Sequence, residues 1–121
     1  MNKRKSAKVN FLLVMLFSTV IMACSDTGKP VKGTYSNESG YCWYIDLPQH
    51  ASSSDSMKNP NVSTLQLFED GKKMGPAHSG HDDIRKLGMG RYSHWGEGVR
   101  FSTTDNSNPN TNNRIYSIKL K

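Results

Sequence analysis

The apolar residues of this chain are crowded toward one end, and that limits what the rest can build. Phe11 to Ala23 is apolar except at Ser18 and Thr19, and it follows a start carrying Lys3, Arg4, Lys5 and Lys8. The run is too short for a permanent transmembrane helix, which needs about 20 residues. A basic start, a short apolar stretch and a small residue at its end is the pattern of an export signal over residues 1–23. Four of the 16 Lys and Arg lie in that start, so twelve face 10 Asp and Glu beyond it, and the formal charge falls from +6 to +2. The basicity of the whole chain therefore belongs largely to the signal and gives no footing for nucleic-acid binding. What remains, at most one small domain, is short of apolar residues.

The apolar run ends in Ile21-Met22-Ala23-Cys24. This resembles the lipobox of bacterial lipoproteins, in which an aliphatic, a variable and a small residue precede a cysteine. The resemblance implies cleavage before Cys24 and a covalent diacylglycerol and N-acyl lipid (palmitate-like chains) on it, with no other resident cofactor. Several acyl chains hold a protein on a membrane where one gives marginal binding. Ser25, rather than Asp, follows the cysteine; by the same resemblance this points to the outer membrane of a Gram-negative envelope. With Cys24 lipidated, Cys42 has no intramolecular disulfide partner, and its setting in Tyr41-Cys-Trp-Tyr-Ile45 reads as a core position.

Residues 24–40 are rich in Ser, Gly, Lys and Asn and read as a flexible tether leading into a β-rich domain over 41–121. Tyr41 to Leu47 is dense in aromatic and β-branched residues, and Pro48 stops it. Residues 48–63 read as a long polar loop. Thr64 to Glu69 alternates, with Leu65 and Leu67 on one face, and Asp70-Gly71 turns the chain into Lys72 to Met74. Asp82 and Asp83 open a short helix that Gly88 stops. Arg91–Trp95 and Val99–Thr103 read as a hairpin across Gly96-Glu97-Gly98, and Arg114–Leu120 as a closing strand after an Asn-rich loop. The pattern predicts an all-β, mainly antiparallel fold: a small β-sandwich or partly open barrel with one short helix.

Three groups of residues are candidates for chemistry. His78, His81 and Asp82, with His94 a strand away, have the donor types of a divalent-metal site, although no second spaced ligand pair accompanies them. They also name a rival reading, a metal-dependent enzyme built on His78, His81, Asp82 and His94. Ser79, Ser93 and Ser102 are available as nucleophiles, but none sits in an activated-serine motif. The loop from Asp105 to Asn113 is rich in oxygen ligands without the spacing of an EF-hand. Arg91, Tyr92, His94, Trp95, Asp105, Asn106 and Arg114 combine aromatic faces with polar groups, the equipment for stacking on a sugar and hydrogen-bonding its hydroxyls. By strand alternation, part of that aromatic set must face the core.

From His78 onward the pattern H-x-x-H-D-x-I-R-x-x-G-x-G-R-Y-S-H-W-G, followed by F-S-T-x-D-N-S-x-P-x-T-N-x-R-x-Y, resembles a compact β-rich module of bacterial polysaccharide-handling proteins. The resemblance implies a membrane-anchored binding domain for glycan rather than an enzyme. It assigns no catalytic residue. A structural lipoprotein that binds other envelope proteins is the remaining alternative.

Overall fold

A computed structural model describes residues 27–121; the expected signal and Cys24 lie outside the described residues. The chain forms two open, four-stranded antiparallel sheets. In chain order the strands are β1 (Lys29–Pro30), β2 (Ser36–Ser39), β3 (Cys42–Asp46), β4 (Gln66–Glu69), β5 (Lys72–Lys73), β6 (Tyr92–Trp95), β7 (Gly98–Phe101) and β8 (Tyr116–Lys119). One sheet runs β1-β8-β4-β5 and the other β2-β3-β7-β6. A 3₁₀ helix, Pro48–Ser53, follows β3, and an α-helix, α1 (His81–Lys86), precedes β6.

Both sheets contribute to one core. Ile45, Val99, Phe101 and Tyr92 from the second sheet cluster with Leu67, Tyr116 and Ile118 from the first. Tyr35, Phe101 and Tyr116 meet edge-on or tilted, with ring centroids 5.3–5.5 Å apart. Such ring pairs contribute about 0.5–1.5 kcal/mol each beyond their buried area. Along β8, Tyr116, Ser117 and Ile118 are all buried, so the expected alternation does not appear in its burial, whereas Ile115 just before it is 63 % exposed. Asp70 and Gly71, both at positive φ, form the expected tight turn between β4 and β5.

Two stretches depart from expectation. Residues 27–40, expected as tether, contribute β1, which pairs with β8, and β2, which pairs with β3 around a register shift at Asn37–Ser39. Every residue of both strands is exposed. They carry no apolar alternation to reveal them, and the ladder they complete supplies the reason they are strands. Residues 48–63, expected as a polar loop, contain the 3₁₀ helix, and Asp55 and Ser63 within them are buried.

Helix α1 lacks a side-chain N-cap at Gly80 but has Asp82 and Asp83 in its first turn and Arg85 and Lys86 in its last. Those charges complement the helix dipole. Its one buried residue, Ile84, holds it to the domain. Gly88 ends it at φ +63, where an added Cβ would run into the Asn106 side chain.

Candidate functional site

Strand β6 is an edge strand whose outer side is met by two loop segments. The Ser79 N–H donates to the Tyr92 carbonyl at 3.0 Å and the Tyr92 N–H to the Pro76 carbonyl at 3.2 Å. One residue pair further along, the Asp55 N–H donates to the His94 carbonyl at 2.8 Å. Strand alternation then turns Tyr92 and His94 inward and gives Ser93 and Trp95 to the other face. A cleft of about 340 Å³ opens there, lined by His78, Ser79, His81, Ser93, Trp95 and the loop around Asn61.

At the wall of this cleft stands a fixed Asp–His pair. Asp55 is 1 % exposed. Its Oδ1 accepts the Ser63 N–H at 2.7 Å, and its Oδ2 lies 2.5 Å from His78 Nδ1. A carboxylate accepts, so Nδ1 carries the hydrogen, and in the neutral form of the ring the lone pair is on Nε2. The His78 side chain is 29 % exposed, and its backbone lies in the left-handed region at φ +55. For a residue with a bulky side chain that conformation costs on the order of 1–3 kcal/mol and persists where the surroundings enforce it; here the Ser79 N–H bonded to β6 and the Asp55 carboxylate do so.

His81 meets the Trp95 ring edge-on, centroids 5.7 Å apart at 87°. Burial holds its imidazole below the ordinary histidine value, and the Arg100 charge adds to this. His94 is 2 % exposed and its Nδ1 lies 2.6 Å from Ser63 Oγ, so Ser63 links it to Asp55. Burial also lowers the His94 pKa, and its Nε2 is buried without a hydrogen-bond partner.

The sequence candidates therefore scatter. Of the binding set, Trp95 borders the cleft. Tyr92 is a core residue, 2 % exposed, whose hydroxyl donates to the Leu65 carbonyl at 3.2 Å. His94 is interior, as above. Arg91 donates to the Gly88 carbonyl and Asn106 accepts the Met89 N–H, so both tie the α1–β6 turn to its neighbours. Arg114 grips Asp105 with two hydrogen bonds, of 2.9 and 2.7 Å, and reaches Glu69 at 3.1 Å. That guanidinium holds the Asp105 carboxyl far below the usual carboxylate range, with help from Ser107. Glu69 also accepts from the Thr104 backbone, the Thr104 hydroxyl and the Tyr116 hydroxyl, which makes it the anchor of the Asn-rich loop.

The candidate metal ligands also part company. His78 turns to Asp55, His81 to Trp95, and Asp82 to Arg85 at 2.9 Å. Among the described residues no three His, Cys, Asp or Glu side chains converge as a ligand set. Asp55 and Ser63 are the site residues that sequence reasoning missed. They sit in a Ser- and Asn-rich stretch whose composition reads as solvated loop, and no spacing rule marks a single aspartate as buried.

A second groove, about 840 Å³, runs past Val31, Leu47, His50 and Leu120. It is larger, but no buried, oriented pair of titratable groups lines it. The chemistry concentrates at β6. No helix among the described residues is long and apolar enough to cross a membrane. No family model matches this chain, and neither a curated protein nor a solved structure matches it.

Proposed function

We propose that this protein is a lipid-anchored envelope lipoprotein whose domain, with its two sheets as the faces of a small β-sandwich, binds a glycan in the cleft beside β6. The anchor is Cys24, and the Ile21-Met22-Ala23-Cys24 pattern supports it. The binding reading is carried by one observation: Trp95, half-buried, offers an indole at a cleft that His78, His81, Ser79 and Ser93 line with polar side chains and Met57 and Pro60 with apolar ones. A ring that takes a sugar's C–H face, flanked by donors and acceptors for hydroxyls, suits a ligand that is apolar on one side and polar at its rim. The likeness of His78–Gly96 and Phe101–Tyr116 to a polysaccharide-associated module points the same way.

In this reading the site is narrower than the sequence indicated. Trp95 remains as the stacking residue, His78 and His81 join it, and the Asp105–Arg114 loop acts as framework. Binding of the purified chain to immobilised bacterial polysaccharides tests it. Trp95→Ala is expected to weaken binding about tenfold or more, since losing a central aromatic contact costs about 1.4 kcal/mol or more. A blank polysaccharide panel, or unchanged binding by Trp95→Ala, removes the reading. Anchoring is tested separately: the intact chain incorporates labelled fatty acid in a bacterial host, and Cys24→Ser does not.

A further inference from the structure

We infer that the same cleft hydrolyses an acyl ester on the bound sugar, with His78 as the general base and Asp55 as its positioning residue; the sugar part of this inference rests on the glycan reading above.

The arrangement is more than a hydrogen bond that closes a loop. A solvated histidine would serve to cap a turn, and so would an asparagine. Here a carboxylate is buried to 1 % exposure and given two donors, the Ser63 N–H on one oxygen and His78 Nδ1 on the other. That fixes the ring plane and the tautomer together, and leaves Nε2 without a hydrogen bond among the described residues. His78 borders the cleft and sits in a backbone conformation that few side-chain-bearing residues adopt. An Asp–His pair of this form accepts a proton at Nε2 while the carboxylate steadies the imidazolium.

The neighbourhood supplies the rest. Ser93 lies on β6 between the two points where the His78 and Asp55 segments are sewn to that strand, and it lines the same cleft. Its hydroxyl makes no hydrogen bond among the described residues, whereas the Ser79 hydroxyl is committed to the Pro76 carbonyl at 2.7 Å. Ser93 is itself 2 % exposed, and its hydroxyl is the uncommitted one of the two. The volume, about 340 Å³, suits a single sugar unit bearing a small acyl group such as O-acetyl.

One imidazole suffices for this reaction. His78 Nε2 takes a proton from water as the water oxygen bonds to the acyl carbon, and the carbonyl electron pair moves onto its oxygen. When that pair returns, the bond from the acyl carbon to the sugar oxygen breaks, and the proton on Nε2 passes to the departing alkoxide. One water and one ester become one carboxylic acid and one sugar hydroxyl, and His78 is neutral again.

The test is acetate release from an acetylated polysaccharide by the full chain in detergent, run beside binding of the same polysaccharide after chemical deacetylation. Wild type is expected to release acetate. His78→Asn and Asp55→Asn are each expected to lose about 10²-fold or more of that rate, the usual share of general-base catalysis. Trp95→Ala is expected to lose binding and turnover together. Binding without acetate release by wild type overturns this inference and leaves the glycan reading standing. Release that His78→Asn does not diminish, with the variant folded by circular dichroism, overturns it as well. If the polysaccharide is not bound but 4-nitrophenyl acetate is hydrolysed in a His78-dependent way, the catalytic assignment holds and the glycan reading fails.

Discussion

Asp55 shows how much one side chain can organise. Its two oxygens hold the Ser63 backbone and the His78 ring, and through Ser63 it is joined to His94. Asp55→Ala leaves the buried Ser63 N–H without an acceptor, and a lost partner of a buried polar group costs about 1–3 kcal/mol, more where a charge was involved. Urea denaturation is expected to show a loss in the upper part of that range. Cys42 makes the opposite case. Burial pushes its thiol pKa up to about 12, reinforced by its hydrogen bond to Glu38 at 3.2 Å. Since the thiolate is the reactive species, Cys42 in the native domain is expected to resist a thiol-specific disulfide reagent at neutral pH and to react promptly in guanidinium. Cys42 was legible from sequence as a core residue because its neighbours are apolar. Asp55 was not, because charged residues are buried only where partners await them, and of its two partners, the Ser63 N–H and the His78 ring, the second lies far along the chain.

At the scale of elements, the hairpin β6–β7, the strand β8 and helix α1 follow from local pattern: alternation, a glycine-rich turn, and acidic residues ahead of a glycine stop. Strands β1 and β2 do not, since Lys-Pro and Ser-Asn-Glu-Ser acquire strand geometry only by pairing with β8 and β3. The site divides in the same way. His78, His81 and Trp95 stood out by residue type, whereas the inward turn of Tyr92 and His94 required knowing which face of β6 meets the core. Two substitutions probe how elements are held. Ile84 is fully buried and is the one buried residue of α1; Ile84→Ala is expected to cost about 2–4 kcal/mol by denaturant titration, the range for large-to-small core changes. Glu69 is 7 % exposed and accepts from Thr104, Arg114 and Tyr116. Glu69→Ala strands those donors at the base of the Asn-rich loop. Amide exchange over residues 104–114 is expected to accelerate markedly more than exchange in β3.

The molecule as a whole carries a pH dependence set by its interior. Burial lowers the pKa of His94, and of His81, below the ordinary value of 6.5. Below that value the unfolded chain binds protons that the folded chain refuses, so stability is fully present above it and declines as pH falls. Denaturation midpoints are expected to drop between pH 7.5 and pH 5, and His94→Asn, whose amide oxygen can still accept from Ser63, is expected to flatten the slope. A further decline at lower pH follows from Asp105, whose carboxylate Arg114 favours in the folded state and which must be protonated in strong acid.

The borders of the two sheets carry one more consequence. Strands β1 and β5 are two residues long, with a proline in one and paired lysines in the other, β2 is interrupted by a bulge, and β6 is occupied along its rim by the Asp55 and Pro76–Ser79 segments. Among the described residues none of these rims gives a neighbouring copy a straight row of unpaired amides to zip onto. Even when many copies are packed together at high local density, the described residues offer no ready seam along which to polymerise.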